Sequence, residues 1–284
     1  MRYLFALGGN AFGKGNMSKV AEAISSIYKN GDAIVITHGN GPQVGELFLQ
    51  QRRNLAVLTG ETEAEMGLEI AESVSSKLRG LDVPVILTRV LVDGGDKEFR
   101  NPSKPIGKFY KARREVEGLR KGFRARKLIG GYRLVVPSPR PLEILNIDEI
   151  ELSLLKNRIA VAGGGGGIAV IRSGKKERLA DAVLDKDYTS ALIAGELDVD
   201  MFLILTDVDG AYLDFSSPKR KLIGRIKAKT LERLAGKGYF EKGSMLPKVK
   251  ACIGFVENTG RTAAIGSIAK ISEVVKLKST VIVP

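Results

Sequence analysis

Residues 3–10 read YLFALGGN, an apolar run that ends in two glycines and an asparagine. A short apolar run bounded by glycines is typical of a strand that is buried on both faces. A helical pattern follows from Ser18 to Lys29, with its apolar residues on one face, and it stops at Gly31. The start of the chain therefore predicts a strand at 3–7, a glycine loop and a helix, in that order.

The same unit recurs along the chain. Apolar runs at 33–37, 83–92, 159–162 and 201–206 predict further strands, and a second helix is expected from about Gln43. Strands that alternate with helices are typical of an α/β protein with a mainly parallel sheet. The chain has 284 residues, 44% of them hydrophobic, which is enough to bury a sizeable core.

The composition argues against several classes of protein. The longest apolar runs fall well short of the roughly 20 residues that a membrane-spanning helix needs. The first seven residues do not resemble a signal peptide, because glycines interrupt the apolar run. The only cysteine, Cys252, lies in an apolar helical pattern and has no second cysteine to pair with. A packed thiol and a cytoplasmic location are therefore expected.

Most of the positive charge lies in one segment. The chain carries 45 basic and 32 acidic residues, and residues 95–140 alone carry 14 and 4 of them, a net charge of +10. This segment predicts an inserted subdomain that is either a solvated basic face or a cover over an anionic substrate. Its aromatic residues are few and irregular, and no nucleic-acid-binding signature accompanies them. A nucleic-acid partner is therefore not expected, although the charge keeps that reading testable.

Three predicted strands end in loops of small residues. These loops are Gly8-Gly9-Asn10, Gly39-Asn40-Gly41 and Gly163 to Gly167. Ligands of open α/β sheets bind at the carboxyl ends of strands, and glycine lets backbone amides approach an anion closely. The loops therefore predict a site for phosphate or carboxylate, the alternative being ordinary strand-to-helix turns. The sequence lacks a Walker lysine motif and a GxGxxG in a convincing context, which disfavours a P-loop NTPase or an NAD enzyme.

His38 is the only histidine of the chain. A metal cluster built on several histidines is therefore excluded, and no protein-held metal site is predicted. Because His38 stands where a strand ends, a structural role in fixing the turn is expected rather than a catalytic one.

An ordered set of motifs covers nearly the whole chain. In order, they are ALGGNA (6–11), THGNGPQVG (37–45), NPSKPIG (101–107), VPSP (136–139), GGGGG (163–167), DKD (185–187), LTDVDG (205–210) and GSMLPKV (243–249). Together they resemble the carbamate kinases of the amino acid kinase family. The resemblance implies one domain over 1–284, a three-layer α/β/α sandwich with an eight-stranded, mainly parallel sheet, and a protruding lid at 95–140. It also implies a homodimer that converts ATP and carbamate reversibly into ADP and carbamoyl phosphate with Mg²⁺, which is bound mainly through the nucleotide phosphates.

The resemblance also implies roles for particular residues. Lys186 and Lys248 would bridge the donor and acceptor oxygens, and Asp185 would orient their ammonium groups. Backbone amides of Gly8, Gly9 and the Gly163 loop would stabilise the transferring group. Carbamate is already an anion, so no general base is needed. The acceptor residues would be Asn10, Gly39, Asn40, Gly41, Gly163, Gly164 and Gly165, with Lys104 as a lid contact, and the nucleotide residues would be Asp207, Tyr212, Met245 and Pro247.

One stretch departs from the family pattern. Where carbamate kinases usually have a Gln-Gly-x-Ile-Gly-Tyr-like stretch, this chain has TGETEAEMG at 59–67. A related kinase acting on another carboxylate or phosphate, of the acetylglutamate or isopentenyl phosphate type, therefore stays open. So does a non-catalytic binding protein of the same fold.

Overall fold

The computed structural model describes residues 1–8, 12, 16–51, 53–119, 122–128, 130–215, 217, 220–241 and 243–284. Its helices are α1 (Asn16–Ile27), α2 (Gly41–Gln50), α3 (Leu55–Lys77), α4 (Arg113–Leu119), α5 (Ile147–Asn157), α6 (Lys186–Glu196), α7 (Ala228–Gly236), α8 (Met245–Thr259) and α9 (Ile271–Val275). Its strands are β1 (Arg2–Leu7), β2 (Ala33–His38), β3 (Val85–Ile86), β4 (Arg89–Val92), β5 (Lys104–Tyr110), β6 (Arg124–Leu128), β7 (Gly131–Val136), β8 (Pro141–Ile144), β9 (Ile159–Ala162), β10 (Ile168–Ser173), β11 (Lys176–Leu179), β12 (Met201–Thr206), β13 (Tyr212–Leu213), β14 (Lys221–Leu222), β15 (Arg225–Lys227), β16 (Thr262–Ser267) and β17 (Thr280–Val283).

Eight of these strands form the central sheet, in the order β15-β17-β16-β12-β1-β2-β9-β3. The six strands from β16 to β3 run parallel, whereas β17 is antiparallel to β16 and parallel to β15. The strands in the middle of this sheet are buried on both faces, as their continuous apolar runs indicate. The predicted mainly parallel sheet is confirmed.

Helices cover both faces of the sheet. On one face, Phe5 and Leu7 of β1 pack with apolar residues of α1, α3 and α9. On the other face, Leu4 and Ala6 pack with apolar residues of α5, α6, α7 and α8. Successive residues of a strand point to opposite faces, so a single apolar run fills both cores. This arrangement is the α/β/α sandwich predicted from the sequence.

One predicted strand is wrong. The apolar run 83–92 forms two short strands, β3 in the central sheet and β4 in a second sheet of order β11-β10-β4-β8. The chain changes sheets at Thr88, whose N–H donates to the Glu63 carboxylate and whose carbonyl accepts from Ile168 N. These partners are far away in the sequence, so the apolar pattern alone does not reveal the break. The first helix also spans 16–27 rather than 18–29.

The basic segment contains a third sheet, of order β5-β7-β6, with α4 beside it. Its apolar residues form a separate small core with α2 and the start of α3, in which Ile106, Leu134 and Val136 meet Val44 and Phe48. At this junction α2 and β5 approach to backbone contact. A Cβ on Gly45 would lie only 2.0 Å from the backbone nitrogen of Gly107.

Within the described part of the chain, none of the helices combines the length and the apolar character that crossing a membrane requires.

The contact between α2 and β5 predicts opposite effects for two helical glycines. Gly45→Ala should lower the unfolding temperature, because overpacking against the Gly107 backbone costs about 1–3 kcal/mol. Gly254→Ala, in α8, is the control, because a Cβ there meets nothing within 4 Å. It should raise stability by up to about 1 kcal/mol through helix propensity. Thermal unfolding followed by circular dichroism measures both effects, and equal shifts in the two variants would contradict the backbone contact.

Candidate active site

Four neighbouring strands of the central sheet end at the same edge. They are β12, β1, β2 and β9, and they lead into residues 207–210, Gly8, residues 39–41 and residues 163–167. The predicted convergence of the glycine loops is therefore observed where they are described. The predicted site residues Gly9 and Asn10 lie outside the described residues.

A cavity of about 370 Å³ opens at this edge. The N-termini of three helices lie at this cavity. Gly41 and Lys186 are the first residues of α2 and α6, and Ser244 immediately precedes α8. Helix N-termini carry unpaired N–H groups and a partial positive charge, which favour bound anions. The cavity lining also includes Lys104, Arg133 and Lys248. Helix ends and cations together make this cavity suited to a ligand with several negative charges.

A single carboxylate holds two of these lysines. Asp187 Oδ1 accepts from Lys186 Nζ at 2.6 Å, and Asp187 Oδ2 accepts from Lys248 Nζ at 2.8 Å. Asp187 is 3% exposed, so the contacts lie in a poorly solvated environment where they are strong. The structure therefore places Lys186 and Lys248 side by side at the cavity, and their bridging of donor and acceptor oxygens stays a prediction.

In this structure Asp187 rather than Asp185 makes both contacts, and the orienting role of Asp185 stays a prediction. Asp185 caps the N-terminus of α6, where its Oδ1 accepts from Asp187 N, and its Oδ2 forms an ion pair with Lys104 Nζ at 2.6 Å. Asp185 and Asp187 stand two residues apart at the helix N-terminus, so their side chains point in different directions. The packing of α6 against α8 decides which of the two carboxylates contacts the lysines. Sequence reasoning did not single out Asp187, although the DKD motif at 185–187 contains it.

The environment sets the charge state of this cluster. Burial lowers the pKa of Lys186 to about 8, although Asp187 opposes that effect. Burial also acts against the Lys248 ammonium, but the Asp187 carboxylate outweighs it and raises the pKa of Lys248. For Asp187 itself, burial is outweighed by the two ammonium groups, which hold its pKa below the usual range. Asp187 is therefore ionised at neutral pH and fixes two positive charges at the cavity.

Three amides of the glycine loops donate to acceptors within the protein. Gly8 N donates to Leu205 O at 3.0 Å, Gly163 N donates to Thr88 Oγ1 at 2.7 Å, and Gly164 N donates to Glu63 Oε1 at 2.9 Å. These three amides have protein acceptors in this structure, and their role toward a substrate stays a prediction. Within the loop at 163–167, Gly165 is the residue that lines the cavity.

The loop glycines are instead required for close packing. A Cβ on Gly164 would lie 2.4 Å from His38 Nε2, and one on Gly165 would lie 2.1 Å from Asn40 Nδ2. Asn40 is itself buried and donates to Thr62 Oγ1 at 2.8 Å. The loops after β2 and β9 are therefore held against each other with no room for side chains.

Residues of α3 support these loops from below. Thr62 holds Asn40, and Glu63 accepts from the N–H groups of both Gly164 and Thr88. The stretch at 59–67, which departs from the family pattern, therefore lies beneath the loops, and none of its residues lines the cavity. His38 is also buried here, and burial lowers its pKa to about 4, so that its ring is neutral and packs on Phe12. This placement agrees with the structural role predicted for His38.

A second, smaller cavity of about 160 Å³ lies beside β12. Three of the residues predicted to bind a nucleotide line it, namely Asp207, Tyr212 and Met245, whereas Pro247 lines the larger cavity. Ser244 and Lys248 line both cavities. A ligand with a flat apolar part and a charged tail would fit an arrangement in which an aromatic cavity leads past a lysine into a cationic one.

The described residues contain no group of three or more His, Cys, Asp or Glu side chains that would hold a metal ion. Cys252 is a free, buried thiol whose pKa is raised by burial, which fits the packed thiol expected from the sequence.

Comparison with known proteins places these features in a family. A model of the amino acid kinase family matches residues 1–267. A carbamate kinase of Thermoplasma volcanium is 36% identical, and the match covers 100% of both chains. Among solved structures, carbamate kinase from Giardia lamblia bound to citric acid is 32% identical with a TM-score of 0.90, and the same enzyme bound to AMP-PNP is 33% identical with a TM-score of 0.86. Both matches cover 99% of this chain and 98% of the Giardia chain.

The buried carboxyl of Glu63 predicts a specific dependence of stability on pH. Burial raises its pKa from 4.5 to about 8, against the opposing effect of its backbone donors. Between these values the folded protein keeps a proton that the unfolded chain releases, so stability falls as the pH rises. Glu63→Gln keeps an acceptor oxygen but has no such proton. Relative to this variant, the wild type should lose at least about 1 kcal/mol between pH 5 and pH 8.5.

Urea unfolding of both proteins across this range measures the difference, in which the titration of His38 and other unchanged groups cancels. Glu63→Leu is the structural control, because it leaves the amides of Gly164 and Thr88 without their acceptor. This variant should be less stable than Glu63→Gln at every pH. Parallel pH profiles for the wild type and Glu63→Gln would show that Glu63 is ionised in the folded protein.

Proposed function

The chain belongs to the amino acid kinase family, and we propose that it is a carbamate kinase that transfers a phosphoryl group reversibly between ATP and carbamate. The observation that carries the proposal is the pair Lys186 and Lys248, which share one carboxylate in a cationic cavity, while Lys248 also lines the smaller, partly aromatic cavity beside it. Full-length similarity to the Thermoplasma carbamate kinase supports the same reaction. The lining of the cavity keeps the family motifs, since the divergent stretch at 59–67 lies beneath it.

The smaller cavity would hold the adenine and ribose of the nucleotide. Tyr212, Phe215 and Met245 supply apolar surface there, and Asp207 stands where β12 ends. The phosphates would then extend past Lys248 into the larger cavity. The AMP-PNP complex of the Giardia enzyme supports a nucleotide site in this fold.

Phosphoryl transfer requires an in-line nucleophile and compensation of negative charge. Carbamate brings its own negative oxygen, so the enzyme need not remove a proton, and the neutral, buried His38 is not required as a base. Each lysine ammonium has three donors, and Asp187 uses one on Lys186 and one on Lys248. The remaining donors would balance the charge of the group as it moves from donor to acceptor.

Magnesium would arrive with the nucleotide. The two carboxylates of the larger cavity are already engaged, Asp185 by Lys104 and Asp187 by two lysines, so they do not form a preformed cage of oxygen ligands. Mg²⁺ commonly keeps its waters and binds through substrate phosphates. This donor set therefore fits a metal ion bound mainly through nucleotide phosphates, where it would neutralise their charge.

The basic segment at 95–140 would act as a lid over the acceptor. It contributes Lys104 to the cavity from β5 and Arg133 from β7. In the structure Lys104 pairs with Asp185, and a substrate anion would offer it a competing partner. The charge of +10 in this segment would then serve to cover a polyanionic site rather than to bind nucleic acid.

Two copies of the chain would form a homodimer through an exposed apolar face. Leu68 on α3 is 62% exposed and Leu179 on β11 is 44% exposed. Leu179 pairs with Val170 of β10, on the sheet face that also carries Ile168. The nearest atom to a Cβ on Gly60 of α3 would be Ile168 Cδ1, at 3.1 Å, so α3 packs beside that face. We place the interface on the side of the molecule where α3 meets β10, so that a second copy would cover both leucines.

Turnover tests the reaction directly. The wild type should form ATP from ADP, Mg²⁺ and carbamoyl phosphate, and Lys186→Met or Lys248→Met should lower kcat at least about 100-fold by removing charge compensation. Lys250→Met is the matched control, because it removes an exposed lysine of the same helix and should retain activity. Unchanged rates in the two cavity variants would point to a contaminating kinase. Binding of ADP without ATP formation would move the acceptor to another carboxylate or phosphate.

Replacing the exposed leucines of the proposed dimer face by lysines tests that face. Leu68→Lys combined with Leu179→Lys should reduce the mass in solution to that of one chain, measured by light scattering after gel filtration. Leu152→Lys is the control, since Leu152 is 64% exposed on α5, in the helical layer on the opposite face of the central sheet. A dimer that survives the double change would place the interface elsewhere.

A further inference from the structure

Arg133 differs from the other cations of the larger cavity. Lys186 and Lys248 are paired with Asp187, and Lys104 is paired with Asp185. Among the described residues, no carboxylate lies within ion-pair distance of Arg133, and its buried Nε has no hydrogen-bond partner. Burial lowers the pKa of this guanidinium with no neighbouring charge to offset the effect. A half-buried arginine in this condition lacks the anion that would normally accompany it.

The surroundings of Arg133 fix where its guanidinium stands. Arg133 lies on β7, the middle strand of the basic segment's sheet, and its guanidinium carbon is 5.3 Å from the ring centre of Phe109. Its Nη2 is 3.8 Å from the point that a Cβ on Gly41 would occupy, at the start of α2. That helix start has no side-chain cap, and Pro42 carries no N–H. The guanidinium and the first turn of α2 therefore face the same end of the cavity.

This end lies away from the nucleotide cavity. The nucleotide cavity adjoins β12, whereas α2 follows β2, and β1 separates the two strands. Two strand spacings amount to about 10 Å. Lys248 lines both cavities and shares Asp187 with Lys186, so the far end of the larger cavity would receive the part of the acceptor that does not accept the phosphoryl group.

Resting on the carbamate kinase function proposed above, we propose that the Arg133 guanidinium binds the carbamoyl end of the acceptor. It would contact the carboxylate of carbamate in one direction of the reaction and the carbonyl oxygen of carbamoyl phosphate in the other. A guanidinium presents a planar set of donors that matches a carboxylate in two-point fashion, which a lysine does not. Arg133 would thereby select a small planar acyl group and hold its oxygen in line with the donor.

Separate kinetic constants test this role. In the direction of ATP formation, Arg133→Met should raise the KM for carbamoyl phosphate about 10- to 100-fold, as expected for loss of a charged hydrogen bond, while the KM for ADP changes less than about twofold. Arg133→Lys should recover only part of the loss. Arg124→Met is the matched control, because it removes an exposed arginine from the adjacent strand β6 and should leave both constants unchanged.

Calorimetric titration with phosphonoacetamide separates this proposal from the proposed function. Phosphonoacetamide is a carbamoyl phosphate analogue whose phosphoryl group cannot be transferred, because its phosphorus is bonded to carbon. Weaker binding of the analogue to Arg133→Met, with ADP binding unchanged, would support the role of Arg133 even if the wild type made no ATP. An active wild type with an unchanged KM for carbamoyl phosphate in Arg133→Met would overturn it and leave the function standing. Failure of the wild type both to bind the analogue and to make ATP would overturn both.

Discussion

The carboxylate of Asp187 is shared between two lysines that come from different helices. Lys186 is the first residue of α6 and Lys248 lies in the first turn of α8, so the shared contact joins two helix N-termini at one point. Removing that carboxylate would leave two buried ammonium groups next to each other and next to two partial positive charges. The positive charge that the larger cavity presents therefore depends on a single side chain, whereas apolar residues of α6 and α8 also hold the two helices together.

The glycine loops contribute through what they lack. The run at 163–167 looks like a set of amides ready for a phosphate, yet the amides of Gly163 and Gly164 are used by Thr88 and Glu63. What the glycines provide is the absence of Cβ atoms, which lets Asn40 and His38 pack against the loop. This close packing fixes the loops that line the cavity. Thr62 and Glu63 of α3 add buried hydrogen bonds to the same loops.

Much of the fold follows from the sequence, because apolar runs and glycine loops are local signals. The strands at 159–162 and 201–206 lie where the runs predict them. The run at 83–92 fails because the change of sheet at Thr88 depends on Glu63 and Ile168, which no local pattern connects to it. The site shows the same limit. Motifs identify Lys186 and Lys248, but the choice between two aspartates of one motif is a matter of packing, and Arg133 is one of 14 basic residues in its segment.

The close approach of Gly45 to Gly107 constrains how the proposed lid would move. Two backbones in direct contact leave no side chains to rearrange between them, so the sheet of the basic segment cannot slide along α2 without a clash. Rotation about the contact would instead keep the two backbones at the same separation and would repack the apolar side chains around them. The junction is therefore suited to act as a pivot. Lys104 lies on the same strand as Gly107, and Arg133 lies on the adjacent strand, so both cations would swing together as one lever arm.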